Sequence, residues 1–311
     1  MLSRVADNLF WFGRYLIRSE HLARYLNVQY FSSIDVPYTQ QRERSILSIL
    51  EMVGMQTVTD KPLEEEVLFA VALDEKNPVS ILSSVYFGRE NSRSIRDSIS
   101  NELWEAMNNY YLFIASYPVD VYKTRGLHDF TTNVISHCAI VRGKIENTLM
   151  HDIAWRFIHL GIHLERAVQV IRILLSKIKD INTLKDYKLG DSLELQQWNI
   201  LLDCLEAKDM CRKFYNSLPN RLNTLEFLLL NPEFPRSVSF NLTIVHELLK
   251  DISPKKEFSK KSLEYKVGKD INQFRYLEIE EVEVNINSFL EETLQKINLF
   301  SDLIVDEYFT F

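Results

Sequence analysis

The chain has 311 residues, of which 46% are apolar and 25% charged, and its formal net charge is −7. That composition excludes intrinsic disorder and provides a core that buries roughly three quarters of the unfolded surface. Gly and Pro number only 8 each, too few for turn-rich sandwiches, barrels or Rossmann-type sheets, so the expected fold class is all-α.

The first helix is written in apolar or small residues at Leu2, Val5, Leu9, Phe12, Leu16, Ser19, Ala23, Leu26 and Tyr30, spaced as one face of a helix. Ser3 is its expected N-cap, and Pro37 lies beyond its end. Arg4, Asp7, Arg14 and Arg18 interrupt the segment too early for a signal-peptide apolar region. No stretch reaches the ~18 apolar residues of a membrane span, so a cytoplasmic location and no membrane association are expected. Amphipathic helices are predicted over 38–54 and 62–74. One long helix or a bent pair follows over 79–116, then another over 119–148, loosened at Gly126 and Gly143. Further helices are predicted over 151–181, 191–206, 208–217, 221–230 and 236–251. Residues 255–269 carry lysines at 255, 256, 260, 261, 266 and 269 beside Pro254 and Gly268. They read as a basic flexible loop, either solvated or docking an acidic partner. Glu280, Glu281 and Glu283 suit the positive end of a last helix, while the alternation over 276–284 also allows a short strand.

Two echoes predict an internal duplication. A shift of 148 places Gly13 on Gly161, Leu16 on Leu164 and Arg18 on Arg166, within the same heptad-like register. A shift of 157 places Pro78 on Pro235 and brings the apolar run Phe69–Leu73 over Phe227–Leu230, each an apolar helix end, a polar turn and a proline suited to opening a helix. The difference implies about nine inserted residues in the second half. The expected architecture is a multi-helix bundle in one body spanning 1–311, with a pseudo-twofold relating about 1–148 to about 149–311.

The stripe opposite the seam carries Phe10, Trp11, Ile17 and Arg18 in the first long helix and Ile158, His159, Glu165 and Arg166 in the second. A solvent face is not normally so apolar, so both helices are expected to be central and covered on two sides. Arg18, Glu165 and Arg166 are then paired or line a cavity; adjacent residues diverge on a helix, so Glu165 and Arg166 should seek partners on other helices. A second cluster comprises Arg89, Glu90 and Arg93, followed by Arg96, Trp104 and Glu105. Arg89, Arg93 and Arg96 share a helical face, facing either solvent or an anion. Arg236 completes the candidate set. The negative charge argues against nucleic acid, whose affinity rests on neutralised phosphates. Cys138, Cys204 and Cys211 form no CxxC and read as reduced core thiols. His159 and His163 have i, i+4 spacing, but there is no HExxH or Glu-x-x-His, so no metal site is expected. GxSxG, GxGxxG and P-loop motifs are also missing, and no cofactor is predicted.

The opening LSRVADNLFWFGRYLIRSEHLARYL resembles the start of the bacterial alpha-E domain proteins, all-helical proteins named for a Glu-Arg motif. RENSRSIRDSISNELWEAMN (89–108), WRFIHLGIHLERA (155–167) and EFLLLNPEFPRSV (226–238) extend the resemblance over most of the chain. It places the Glu-Arg motif at Glu165-Arg166; in the first copy Ile17 precedes Arg18 where the family commonly has Glu. The resemblance also implies association with ATP-grasp ligases and transglutaminase-like proteins in peptide or amide metabolite modification. The expected function is therefore an accessory partner of an ATP-grasp ligase. The alternative is an enzyme or carrier holding a carboxylate or phosphate in a central Arg/Glu cavity; a homo-oligomer is compatible with either.

Overall fold

Every regular element among the described residues is helical, and the long apolar periods of the sequence become two central helices. The structure is a computed structural model that describes residues 2–34, 39–55, 63–122, 126–186, 191–253 and 259–309. The first half contains α1 (Ser3–Ile34), α2 (Thr39–Val53), α3 (Glu64–Ala72), α4 (Ile81–Ser94), α5 (Asn101–Ala115), α6 (Val119–Val121) and α7 (Leu127–Thr148). The second contains α8 (Ile153–Asp186), α9 (Asp191–Cys204), α10 (Lys208–Tyr215), α11 (Arg221–Leu229), α12 (Val238–Ile252), α13 (Leu263–Arg275), α14 (Ile279–Glu283) and α15 (Ile286–Tyr308).

α1 and α8 lie against one another at the centre. α1 also packs on α4 and α7, and α8 on α12 and α15. The two-sided cover expected from the sequence is present: Phe10, Ile17, Ile158 and Glu165 are all fully buried, as are the seam residues Leu9, Phe12, Leu16, Leu160, Leu164 and Ile171. The axes meet at a pair of glycines. A Cβ on Gly13 would collide with the carbonyl oxygen of Ile158, and one on Gly161 with that of Phe10. The contact is reciprocal, and only the missing side chains allow the backbones to approach so closely.

Several local expectations are corrected. Ser3 is the first residue of α1 rather than its cap, because the Leu2 carbonyl already accepts from the Ala6 N–H at 3.2 Å. The 79–116 segment divides into α4, a 3₁₀ turn at Arg96–Ser98 and α5; the Ser100 side chain accepts from the Leu103 N–H and starts the new helix. Pro78 and Pro235 stand outside their helices. The caps are Ser80 and Ser237, which accept from the N–H groups of Ser83 and Phe240. The short strand over 276–284 does not form, since α14 occupies the segment. Of the basic loop at 255–269, residues 255–258 lie outside the described residues. From Leu263 onward it is helix: Ser262 accepts from the Tyr265 N–H, and Leu263, Val267, Ile271 and Phe274 bury one face. Four apolar residues at helical spacing outweigh the lysines, which fit the outer face.

Candidate functional site

The residues singled out from the sequence fall into three separate groups. The first is centred on Glu165, which is fully buried on α8. Arg14 donates its Nε–H to Glu165 Oε2 at 2.7 Å, and Arg18 donates to Oε1 at 2.8 Å. Gln169 adds a bond to Oε1 at 2.8 Å, and Arg14 reaches Ser301 on α15 at 2.6 Å. The guanidiniums lie over aromatic rings, Arg14 over Trp11 at 4.9 Å and Arg18 over Tyr15 at 5.3 Å. Burial alone would raise the Glu165 carboxyl, but Arg18 and Arg14 hold it far below the ordinary range. Both oxygens are bonded, so this group is a closed junction of α1, α8 and α15.

The second group is open. Glu20 on α1 is fully buried, and its Oε1 receives Arg24 at 3.1 Å, Arg236 at 3.1 Å and Arg142 at 3.5 Å. Glu206 bonds Arg24 at 3.0 Å and Arg236 at 2.5 Å from the outer side. Glu20 Oε2, Arg24 Nε and Nη1, Arg142 Nε and both nitrogens of the buried His21 have no hydrogen-bond partner among the described residues. Burial pushes Glu20 up, but Arg236, Arg142 and Arg24 outweigh it and bring its carboxyl down to about 2.

A cavity of about 250 Å³ opens beside this cluster, lined by Arg142, Glu146, His159, His163, Arg166 and Phe240 among others. That is several times the ≈ 30 Å³ share of one water. Arg166 lies on its wall and contacts no carboxylate at ion-pair distance among the described residues. Burial and the neighbouring Arg142 lower its guanidinium to about 10, so it remains charged at neutral pH. Burial and Arg166 also lower His159 to about 4 and His163 to about 3, leaving both rings neutral. His159 stacks on Trp155 at 3.8 Å, and its Nε2 lies 3.0 Å from Glu146 Oε1 at an angle that makes no hydrogen bond.

Acid acts on the buried histidines and on Glu20 in the same direction. The folded values of His159, His163 and Glu20 all lie below their ordinary values of 6.5, 6.5 and 4.5. The unfolded chain therefore binds protons first as pH falls, and stability must decline with it. The histidine contribution is lost from about pH 6.5 downward, and the Glu20 contribution between about 4.5 and 2. Urea unfolding at pH 7 and pH 4 should differ by at least on the order of 3 kcal/mol. A flat profile over that range contradicts these assignments.

The third group is local to α4 and α5. Arg89 bonds Asn108 at 2.9 Å and Glu90 at 2.7 Å, and lies over the Tyr111 and Trp104 rings. Arg93 is exposed and reaches Glu90 at 3.4 Å; Glu105 is exposed. None of these residues joins the cavity wall, so Arg89, Glu90, Arg93 and Glu105 form a cluster apart from Arg18, Glu165 and Arg166. Arg236 does join the Glu20 cluster. The sequence reading missed Arg14, Glu20, Arg24 and Arg142; the only available signal was the i, i+4 Glu20–Arg24 pair. It also missed buried Lys177, which donates to Gln29, Gln197 and Asp180 at 3.0, 2.9 and 3.0 Å.

Among the described residues, no group of three or more His, Cys, Asp or Glu side chains is placed to hold a metal ion. The three cysteines are free and buried, and burial pushes the Cys138 and Cys204 thiols up to about 12, which makes them poor nucleophiles. No helix among the described residues is long and apolar enough to cross a membrane.

Residues 1–309 match Alpha-E, a predicted alpha-helical domain with a conserved ER motif. The chain belongs to the Alpha-E family. Relatives of this Alpha-E chain include the uncharacterised proteins Mb2597 of Mycobacterium bovis and Rv2567 of Mycobacterium tuberculosis. Each is 20% identical over 269 residues, covering 80% of this chain and 30% of the relative. The chain thus spans less than a third of the length of those relatives. No solved structure matches it. In this Alpha-E chain the Glu-Arg pair on α8 separates two environments. Glu165 faces the closed junction with α1, and Arg166, one residue on, faces the cavity. A second Glu-Arg pair, Glu43-Arg44, lies on α2, where Arg44 bonds Asp180 and Glu51.

Proposed function

We propose that this Alpha-E chain binds a carboxylate- or phosphate-bearing ligand in the cavity between α7, α8 and α12, with Arg166 and Arg142 as its anion-holding groups. The observation that carries this reading is a half-buried, charged Arg166 on a cavity wall with no carboxylate at ion-pair distance among the described residues. A guanidinium partly withdrawn from water gains by pairing with an anion, and its planar fork suits bidentate anions. The sequence offset of 148 supplies a reason for its freedom. Arg18 is held by Glu165, whereas the residue corresponding to Glu165 in the first half is Ile17, fully buried and apolar. We infer that the two halves descend from one helical unit and have since diverged. The reciprocal Gly13 and Gly161 contacts support this, as do the matching packing of α4 and α7 on α1 and of α12 and α15 on α8.

The test is Arg166→Met. Calorimetric titration with inorganic phosphate and with citrate should detect binding to the unaltered protein and lose it by at least 10-fold in the variant. The melting temperature should hardly move, because no carboxylate is stranded. Unchanged affinity in a folded variant refutes the reading.

A partner role is the second reading. The relatives are more than three times as long as the segment they share with this chain, which supports a helical module working beside other polypeptide. We propose an ATP-grasp amide ligase as that partner and the reducing cytoplasm as the compartment, the latter supported by three free thiols. Co-expression should yield a complex that survives gel filtration. A ligase that elutes alone and is fully active alone excludes the role.

A further inference from the structure

The cavity wall does not consist of donors alone. Asn241 donates through its Nδ2 to the carbonyl oxygens of Pro235 at 3.0 Å and Ser237 at 2.7 Å. Those acceptors fix the amide orientation, so Asn241 Oδ1 is the atom 2.8 Å from His163 Nδ1. An amide oxygen only accepts, so the proton of the neutral His163 ring is on Nδ1. Nε2 is then an unprotonated acceptor. It forms no hydrogen bond among the described residues, and the ring lines the cavity. The wall therefore presents the Arg142 and Arg166 guanidiniums together with two acceptors, His163 Nε2 and the Glu146 carboxylate, and the His159 ring beside them.

We propose that the cavity selects an oxyanion that carries its own proton, hydrogen phosphate or a phosphomonoester monoanion, over a fully ionised tetrahedral anion such as sulfate. This rests on the anion-binding reading above and adds its specificity. The two arginines hold the charge, and the P–OH donates to His163 Nε2. Sulfate has the same shape and no proton to give at neutral pH, so its oxygen lone pairs face those of His163 and Glu146. A site whose buried polar group is left unpaired by the wrong ligand discriminates more strongly than one relying on shape.

Titrating the full-length protein with sodium phosphate and with sodium sulfate at pH 7 and equal ionic strength tests this. Phosphate should bind at least 10-fold more tightly. His163→Leu should retain sulfate binding and bring the ratio to within about twofold. Two folded outcomes overturn the proposal: equal affinity in the unaltered protein, which leaves an anion site without this selectivity, and an undiminished ratio in His163→Leu. Binding of neither anion removes the underlying site as well. Imidazole ¹⁵N shifts of the unaltered protein supply a reading independent of the variant. They should show His163 protonated on Nδ1 alone, and a proton on Nε2 refutes the mechanism.

Discussion

Glu165→Gln should lower the folding stability of this protein by about 3–5 kcal/mol, measured by urea unfolding at pH 7. The carboxylate is the only negative charge paired with both Arg14 and Arg18 among the described residues, and it is fully buried. Glutamine keeps the shape and one acceptor but removes the charge, leaving two guanidiniums at the centre of three helices. The cost therefore arises from stranding the partners rather than from the net value of the ion group, which desolvation largely offsets. The same reasoning predicts recovery. Replacing Arg14 and Arg18 with Met and Glu165 with Leu in one protein should restore most of the lost stability, because no uncompensated charge remains. If the triple variant is less stable than Glu165→Gln, the group contributes more than its mutual compensation.

Gly161→Ala should cost on the order of 3 kcal/mol despite the better helix propensity of alanine. The new methyl would occupy the place of the Phe10 carbonyl oxygen, a backbone atom that no rotamer change can move aside. The two helices must separate, and contacts loosen along the whole seam that buries Leu9, Phe12, Leu160 and Leu164. Gly13→Ala should behave alike, because it meets the Ile158 carbonyl. The control lies on α7. A Cβ on Gly143 finds no atom within 4 Å, so Gly143→Ala should stabilise the protein by about 1 kcal/mol. Three identical substitutions in helices, two unfavourable and one favourable, isolate the crossing from any general effect of removing glycine. A destabilisation at Gly143 equal to that at Gly161 refutes this account.

The shift of 148 that aligned Gly13 with Gly161 was legible in the sequence because a close crossing requires the same small residue on both helices. The Ser80 and Ser237 caps were legible only in part: proline drew attention to each boundary, but the residue two positions later makes the bond. The lysines at 260–269 misled because charge reports solvent exposure and not backbone conformation; the apolar face of α13 lay beneath them. At the site, Arg166 and Arg236 were both named from the sequence, and the structure places Arg166 on the cavity wall and Arg236 beside Glu20. Their surroundings were not legible. Glu20 looked like an ordinary polar position on α1, whereas it gathers three arginines from α1, α7 and the turn before α12.

The sequence by itself determined that this Alpha-E chain is helical, that α1 and α8 are central, and that their charged stripe is covered. Each of these follows from the spacing of apolar residues over a few turns of one helix, which short stretches of chain encode. Tertiary structure alone decided which charges are paired and which is left facing a cavity. Arg18 meets Glu165 across 147 residues of chain, and Arg236 meets Glu20 across 216. Periodicity states which side of a helix is buried but not what lies opposite, and for a buried charge the group opposite determines whether it is locked in an ion pair or free to take a ligand.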